Sequence, residues 1–442
     1  MGRHLFRGGI HPPDEKKRTA HLPTEVAPLP ELIFLPVSQH IGAPAKPAVK
    51  KGDKVLKGQV VATASGFVSV PIHASTSGVV RSVGPYHHPM GAKQLAIEIE
   101  VDGEDLAAEP LAPIEDPLNA DPNVIKSRIL EAGIVGMGGA TFPTHVKLSP
   151  PPESPIDSVI LNGVECEPFL TADHRLMLER GDDIMCGLKL ILNIFGLDRG
   201  YIGVELNKPD AIAEMARFAT ERGWCDIRGL EVRYPQGAEK QLIHAILGRD
   251  VPSGALPMAV GTVVQNVATA VAIWEAVTKG KPLIERVATV TGDGVKEPKN
   301  ILIRTGMTLQ HLVDQAGGLT DDCQKVIMGG PMMGMAQHTL EVPATKGTSG
   351  VLCLPAAEVR ATGHRDCISC GRCVSACPMG LSPTTIFNLI DKDKVAEADE
   401  WSALDCIECG SCSYVCPAWI PLVQYIRYAK GRVMARRREL KG

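Results

Sequence analysis

The sequence predicts a multidomain α/β protein, and three observations carry that reading. Short β-branched runs broken by glycine fill Leu35 to Val101. Helical and strand patterns alternate from residue 121 to 280, and two C-x-x-C-x-x-C-x-x-x-C-P runs stand at Cys367 to Pro378 and Cys406 to Pro417. With 442 residues, the chain is long enough for three or four domains, each with its own core.

Composition narrows the function classes. Formal net charge is -4, from 46 Lys+Arg against 50 Asp+Glu, so the basic excess of a nucleic-acid binder is absent. No apolar stretch reaches the roughly 18 residues that a bilayer span needs, and the start, MGRHLFRGGIHPPDEKK, lacks the apolar core of a secretory signal. A soluble or peripheral protein is expected. Of 13 cysteines, eight fall in the two tight runs and five (Cys166, Cys186, Cys225, Cys323, Cys353) are scattered singly, which points to metal ligation in a reducing compartment rather than to disulfides. The histidines show no H-x-x-x-H pairing, so a mononuclear metal site is not indicated.

Residues 1–30 are rich in Pro, His and charge without periodicity, and read as an extended arm that wraps another domain. Residues 31–110 read as all-β, from VKKGDKVLKGQVVATAS through FVSVPIHASTSGVVRSV to LAIEIEV. The order G-D-x-V-x-x-G-Q, a turn, then S-G-V-V resembles the barrel-sandwich fold of biotinyl and lipoyl carrier domains. Carriers place their modified lysine in that turn; here it reads TASGF, with Ser65 and Gly66, so a structural role is expected instead.

Residues 120–282 alternate through DPNVIKSRILEAG as helix, DSVILNGVE as strand, DIMCGLKLILNIFG as helix, YIGVEL as strand and KPDAIAEMARFATERG as helix. LEVRYPQGAEKQLIHAILG follows as strand, turn and helix, then GTVVQNVATAVAIWEAVTKG. Such alternation argues for a Rossmann-like, largely parallel sheet, the usual host of a nucleotide or flavin at its strand ends. Residues 285–355 turn to a small α+β module with strands ATVTGDG and ILIR, helix LQHLVDQAG and the Gly-rich VIMGGPMMGM. Residues 360–442 are helical between and after the cysteine runs, as in PTTIFNLIDKDKVAEADEWSAL and the basic YIRYAKGRVMARRREL.

Each cysteine run sets three thiolates around one face of an iron–sulfur cubane and throws the fourth onto a following turn, where two-cluster ferredoxins use it to ligate the other cluster. Two [4Fe-4S] clusters are therefore expected, one on Cys367, Cys370, Cys373 and Cys416, the other on Cys406, Cys409, Cys412 and Cys377. Structural zinc prefers two-plus-two spacing across a long gap and does not suit a third cysteine followed by C-P. Because 28 residues lie between Cys377 and Cys406, the domain resembles the α-helical ferredoxin domains of fumarate reductases more than a compact bacterial ferredoxin.

A second motif, GIVGMGGATFPTHVKL at residues 133–148, sets Gly136, Gly138 and Gly139 where backbone N–H groups can cradle a phosphate or an isoalloxazine edge, with Lys147 adding charge. It is not a G-x-G-x-x-G, since the sixth position is Thr141, and a generic Gly-rich turn would fit it as well. Three further runs follow in order: NGVECEP (Asn162 to Pro168), YPQGAEKQ (Tyr234 to Gln241) and TVVQNVAT (Thr262 to Thr269).

Together these four resemble the flavin and nucleotide loops of the NADH-binding flavoprotein subunit of respiratory complex I, which read G-R-G-G-x-G-F-P-T-G-x-K, N-x-D-E-x-E-P, Y-x-C-G-E-E and V-N-N-V-E-T. The resemblance implies that Gly136, Gly138, Lys147, Asn162, Glu165, Tyr234, Gly237, Glu239 and Asn266 lie around FMN, and that Phe142, Glu167 and Phe169 lie around the nicotinamide nucleotide. Met137, Val164 and Ala238 stand where that protein has Arg, Asp and Glu. FMN is expected without a covalent link, because the chain lacks the S-G-A-T-type threonine context of sister subunits that carry covalent FMN.

The module at 285–355 looks like a soluble-ligand-binding β-grasp (SLBB) domain. With the barrel-sandwich and the twin cysteine motifs, the chain from about residue 5 to 440 resembles the RnfC (RsxC) family, the C component of the Rnf ion-translocating electron transport complex. What the family implies is an NAD(H)-dependent oxidoreductase subunit in which FMN exchanges a hydride and the clusters carry single electrons. Its place would be peripheral, on the cytoplasmic face of the bacterial inner membrane. Its partners would be the membrane subunits and the ferredoxin-like B component of the complex, with ferredoxin or flavodoxin acting indirectly. An alternative is an electron relay without its own NADH reaction. No side-chain acid or base is required, and Glu165 and Glu167 are expected to hydrogen-bond flavin and ribose groups. The basic tail, with Arg427, Lys430, Arg432, Arg436, Arg437 and Arg438, reads either as a solvated helix end or as a contact for anionic lipid or an acidic partner.

Overall fold

The structure, a computed structural model, describes residues 4–359 and 363–440. Two of its sheets form the N-terminal β unit. One runs Leu32–Pro36, Gln94–Val101, Gly78–Tyr86, Lys54–Val55; the other runs Lys46–Pro47, Val60–Thr63, Ile72–His73. Alternation decides which side of Gln94–Val101 is core: Ile97 and Ile99 are fully buried while Glu98 and Glu100 point outward. The turn that carries lysine in carrier domains abuts the glycine motif instead, with His145 Nε2 lying 2.9 Å from Phe67 O.

The central sheet is entirely parallel, in the order Cys225–Leu230, Gly200–Glu205, Ser158–Asn162, Thr262–Asn266. Val159, Leu161 and Val263 face one core and Ile160 and Val264 the other, so both faces are covered and the strands read as unbroken apolar runs. On the first face the helices Gly181–Phe195 and Val267–Lys279 pack so closely that a Cβ at Gly187 would stand 2.1 Å from Ala270 O. Only glycine fits that crossing.

One strand lies elsewhere than the sequence pattern suggested. LEVRY was expected as a strand, but the strand is Cys225–Leu230, five residues earlier. Leu230 pairs with Glu205, the last residue of the neighbouring strand, which leaves Glu231 to Tyr234 no edge to continue along. Tyr234 pairs instead with Ile10 of the arm through two backbone bonds of 2.8 Å. The run LTADHRLM also forms a helix, Ala172–Glu179, that periodicity did not single out.

The third unit is a six-stranded mixed sheet in the order Thr24–Val26, Lys299–Arg304, Glu285–Thr291, Gly350–Pro355, Cys323–Met328, Met335–Gln337, backed by helix Leu309–Gln315. Its edge strand, Thr24–Val26, comes from the arm, and Gly350–Pro355 is a further strand beyond those expected. The C-terminal unit holds helices Arg372–Ala376, Pro383–Asp391, Val395–Glu400, Ser411–Tyr414 and Leu422–Glu439 around Ile386, Ile390, Leu422 and Ile426. The stretch read as helical from Pro383 forms two helices, parted at Asp393, whose φ is 56°. Among the described residues no helix is long and apolar enough to cross a membrane.

Candidate functional site

In the parallel sheet the chain runs outward from Ser158–Asn162 to Cys225–Leu230, then returns to the other side of Ser158–Asn162 with Thr262–Asn266. That reversal makes a crevice at the carboxyl ends of the two adjacent strands, the place where open α/β sheets bind ligands. Their last residues, Asn162 and Asn266, stand opposite each other in register. Asn266 Oδ1 caps the following helix by accepting from Ala268 N at 2.8 Å, and its Nδ2 donates to Asp173 Oδ2 at 2.7 Å. Asn162 Nδ2 donates to Gly237 O at 2.8 Å, tying the strand end to the Tyr234–Glu239 loop.

The glycine motif lies over this crevice. Gly136 N donates to Phe142 O at 2.8 Å and Met137 N to Thr269 Oγ1 at 3.0 Å, so the loop is pinned on both flanks. A Cβ at Gly138 would come within 2.8 Å of Asn266 Nδ2, which is why a glycine stands there. Gly138 and Gly139 are exposed, and Gly139, at φ 96°, has no atom within 4 Å of where its Cβ would be. Lys147 and Glu239 meet at 2.5 Å beside the loop, and Phe142 is half-buried. In the Tyr234–Glu239 loop, Gln236 Nε2 is buried and has no hydrogen-bond partner among the described residues. Open backbone at Gly138 and Gly139 with the Lys147–Glu239 ion pair beside it makes a cradle that fits a flavin nucleotide.

Three residues expected at the cofactors are engaged elsewhere. Both Glu165 oxygens accept from the amides that start helix Ala172–Glu179, Asp173 N at 2.8 Å and His174 N at 3.2 Å. Glu167, expected on the nucleotide side, accepts from Met333 N at 2.8 Å and Met332 N at 3.1 Å in the Gly-rich turn of the third unit. Phe169 packs with Ile327 and Leu352 of that same unit rather than facing the crevice. Glu165 (φ 47°) and Phe169 (φ 70°) both have left-handed backbone. Burial pushes the Glu167 carboxyl up to about 7, against the pull of the Met332 and Met333 amides and Lys16. Burial, then the neighbouring Glu165, pushes Asp173 up to about 7 as well. Asp173 was missed from the sequence, although it stands in the run LTADHRLM beside the quoted motif.

The two cysteine runs fold alike. Ser369 and Glu408 are both left-handed and return their amides to the first thiol, Ser369 N to Cys367 Sγ at 3.4 Å and Glu408 N to Cys406 Sγ at 3.3 Å. Gly371 and Gly410 follow at φ 74° and 77°. Cys377 of the first run lines one cavity with Cys406, Cys409 and Cys412 of the second, together with Leu381, Val423 and Ile426. Cys416 in turn comes within electrostatic reach of Cys373. Among the described residues no side chains converge as for a single metal ion; four thiols spread around an apolar void suit a cubane. Cys409 and Cys412 are buried, whereas Cys367 and Cys370 are exposed. Tyr234 spans the two halves of the site: its hydroxyl donates to Cys409 O at 2.7 Å.

Comparison with known proteins agrees with this layout. Residues 4–104 match the RnfC barrel sandwich hybrid domain, 129–275 the Nuo51 FMN-binding domain, 287–336 the SLBB domain and 362–417 the 4Fe-4S dicluster domain. The C component of the proton-translocating ferredoxin:NAD(+) oxidoreductase complex of Clostridium ljungdahlii is 52% identical over 96% of this chain and 93% of its own length. The chain belongs to the RnfC family. Two further RnfC-family relatives are the C component of the Na(+)-translocating ferredoxin:NAD(+) oxidoreductase complex of Acetobacterium woodii and that of the ion-translocating oxidoreductase complex of Rhodobacter capsulatus. The first is 48% identical with 98% of both chains covered, the second 44% identical with 98% of this chain and 83% of its own covered. A solved NAD+-reducing [NiFe]-hydrogenase in the H2-reduced state shares the fold, with TM-score 0.50 and 20% identity over 75% of this chain and 69% of that one. The RnfC-family chain thus combines an FMN-binding domain with a dicluster domain, and the relatives it matches are subunits of ion-translocating oxidoreductase complexes.

Proposed function

We propose that this chain is the NAD(H)-reacting flavo-iron–sulfur subunit of a ferredoxin (or flavodoxin):NAD oxidoreductase, peripheral on the cytoplasmic face of the inner membrane. The observation that carries this reading is the Tyr234 hydroxyl on the Cys409 carbonyl, because it fixes the flavin domain directly against a cluster motif. Bound non-covalently at the switch-point crevice, FMN supplies the conversion between a hydride pair and single electrons.

The chain's residues then have distinct tasks. Gly136, Gly138 and Gly139 present backbone to the flavin, Asn162, Asn266 and Gly237 hold the crevice floor, Lys147 and Glu239 flank it, and Phe142 faces the nicotinamide. Glu165, Glu167 and Phe169 shape these loops. Cys377, Cys406, Cys409 and Cys412 would ligate one cluster, on the Tyr234 side. Cys367, Cys370, Cys373 and Cys416 would ligate the other; the clusters would supply single-electron carriers, with the membrane subunits and the ferredoxin-like B component of the complex as partners.

The test uses anaerobically purified full chain, which should hold about eight irons and one FMN, with NADH bleaching flavin and then clusters. Gly138→Val should lose flavin and the NADH response and keep its irons, since its Cβ would stand 2.8 Å from Asn266 Nδ2. Wild-type protein with full FMN that NADH cannot reduce, alone or with its partners, would replace this reading by that of a relay.

A further inference from the structure

The glycine loop is held from behind by two buried cations that belong to another domain. Arg286, 4% exposed, begins the strand Glu285–Thr291 of the SLBB unit, and Lys346, 1% exposed, lies just before the strand Gly350–Pro355 of the same sheet. Arg286 Nη1 donates to Met137 O at 3.1 Å and to Lys346 O at 2.8 Å. Lys346 Nζ donates to Gly133 O at 2.7 Å and to Pro71 O of the barrel-sandwich at 3.0 Å. The two ends of the segment Gly133 to Met137, which leads into Gly138 and Gly139, are therefore gripped through their carbonyls by one linked pair of side chains. Gly133 is shaped for this contact: its φ is 65°, and a Cβ there would meet Lys346 Nζ at 2.7 Å and Pro71 O at 2.5 Å.

We propose that Arg286, braced by Lys346, is a positioning residue for the flavin. It sets the Met137–Gly139 backbone in its binding conformation and places a fixed positive charge behind the loop. This rests on the flavin reading given above. Among the described residues no carboxylate hydrogen-bonds to the guanidinium; the acids that act on it electrostatically are Asp173 and Glu165. Burial lowers the guanidinium only to about 10, so it stays protonated at neutral pH. Burial brings Lys346 down to about 7, where ammonium and amine alike can donate to the two carbonyls. A buried cation one residue from the exposed glycines favours the more negative, reduced state of whatever binds there. The SLBB unit thereby takes part in the flavin site without touching substrate.

The test compares Arg286→Met, Arg286→Lys and Lys346→Met with wild type in the full chain, anaerobically, with iron content as the check on folding. Three quantities are read: FMN affinity by fluorescence titration, the reduction potential of FMN-saturated protein, and amide exchange of residues 133–139 without FMN. Arg286→Met should bind FMN at least tenfold more weakly, lower the flavin potential and speed exchange in the loop, with irons unchanged. Arg286→Lys should restore the potential and most of the affinity. If Arg286→Met loses its irons, Lys346→Met, which leaves Arg286 in place, should still weaken FMN binding and speed loop exchange. Wild-type FMN affinity, potential and loop exchange in Arg286→Met or, where that variant does not fold, in Lys346→Met, would overturn the inference. So would an Arg286→Lys variant no better than Arg286→Met. A wild-type chain that binds no FMN would sink the flavin reading instead, while loop exchange would still report on the clamp.

Discussion

Asn266 is where capping and charge at the switch point can be separated. Asn266→Ala removes the helix cap at Ala268 N and the donor to Asp173. The cap is worth about 1 kcal/mol and the bond to a buried carboxylate about 1.5 to 3 kcal/mol, so about 2.5 to 4 kcal/mol in all. Asn266→Asp keeps the cap, because aspartate serves that position equally well, but it sets a carboxylate against Asp173, itself already raised to about 7. A raised carboxyl pKa leaves stability intact at low pH and removes it as pH climbs through the folded value. At pH 5.5 one acid of the pair carries a proton and the hydrogen bond survives; at pH 8 both tend to ionise and the cost appears. Amide exchange in helix Val267–Lys279, measured on the cofactor-free chain against wild type at the same pH, reads this locally. At 1.4 kcal/mol per decade, the Ala variant should exchange roughly 60- to 700-fold faster at pH 8, where Asp173 is ionised, and less so at pH 5.5, where the acid is protonated and the bond is a neutral one. The Asp variant should stay within about tenfold of wild type at pH 5.5 and approach Ala at pH 8. An Asp variant that matches wild type at pH 8, or matches Ala at both, would refute the role given to Asp173.

Two further tests address the clusters and Glu167. Cys377→Ala should destroy the cluster that shares its cavity with Cys406, Cys409 and Cys412 and leave about four of eight irons, read by iron assay and paramagnetic resonance; loss of the Cys367 cluster alone would disprove the crossed ligation. Glu167, raised by burial from 4.5 to about 7, should lose the fold about 2 to 3 kcal/mol between pH 5 and pH 8, as the ionised form is forced into a site that prefers the acid. Glu167→Gln cannot ionise and should show a correspondingly flatter change in denaturant midpoint over that range. Parallel curves for the two proteins would show that the carboxyl is not buried as described.

What the sequence disclosed follows from how locally each feature is encoded. The parallel strands were legible because strands buried on both faces must be apolar throughout, as in Ser158–Asn162. The glycine loop could be singled out because its glycines cluster, and the structure gives one of them a steric reason, the Asn266 side chain 2.8 Å from where a Gly138 Cβ would stand. The structure places Cys377 in one cavity with Cys406, Cys409 and Cys412 of the second run; the crossed ligation expected from the two-cluster ferredoxin pattern is the subject of the Cys377→Ala test. Glu165, Glu167 and Phe169 were not legible: Glu165 and Phe169 have left-handed backbone, and Glu167 is bonded to the amides of Met332 and Met333, more than 160 residues away. The strand Cys225–Leu230 was misplaced because its end is set by where its neighbour stops, not by its own apolar pattern. Arg286 and Lys346 carry no motif; only the packing of three domains reveals them.

The arm has a consequence for how the chain is made. Gly9 bonds to Ala376 O, and a Cβ on Gly8 would stand 2.5 Å from Cys377 O, so the arm lies against residues synthesised more than 360 positions later. At about 5 to 20 residues per second, that is a wait of roughly 20 to 70 s. Until Thr24–Val26 docks on the newly made strand Lys299–Arg304, that edge stays open to other chains. Nor can the arm close over the backbone of Cys377 before that backbone exists. A segment made early therefore cannot complete its contacts until most of the chain has been made.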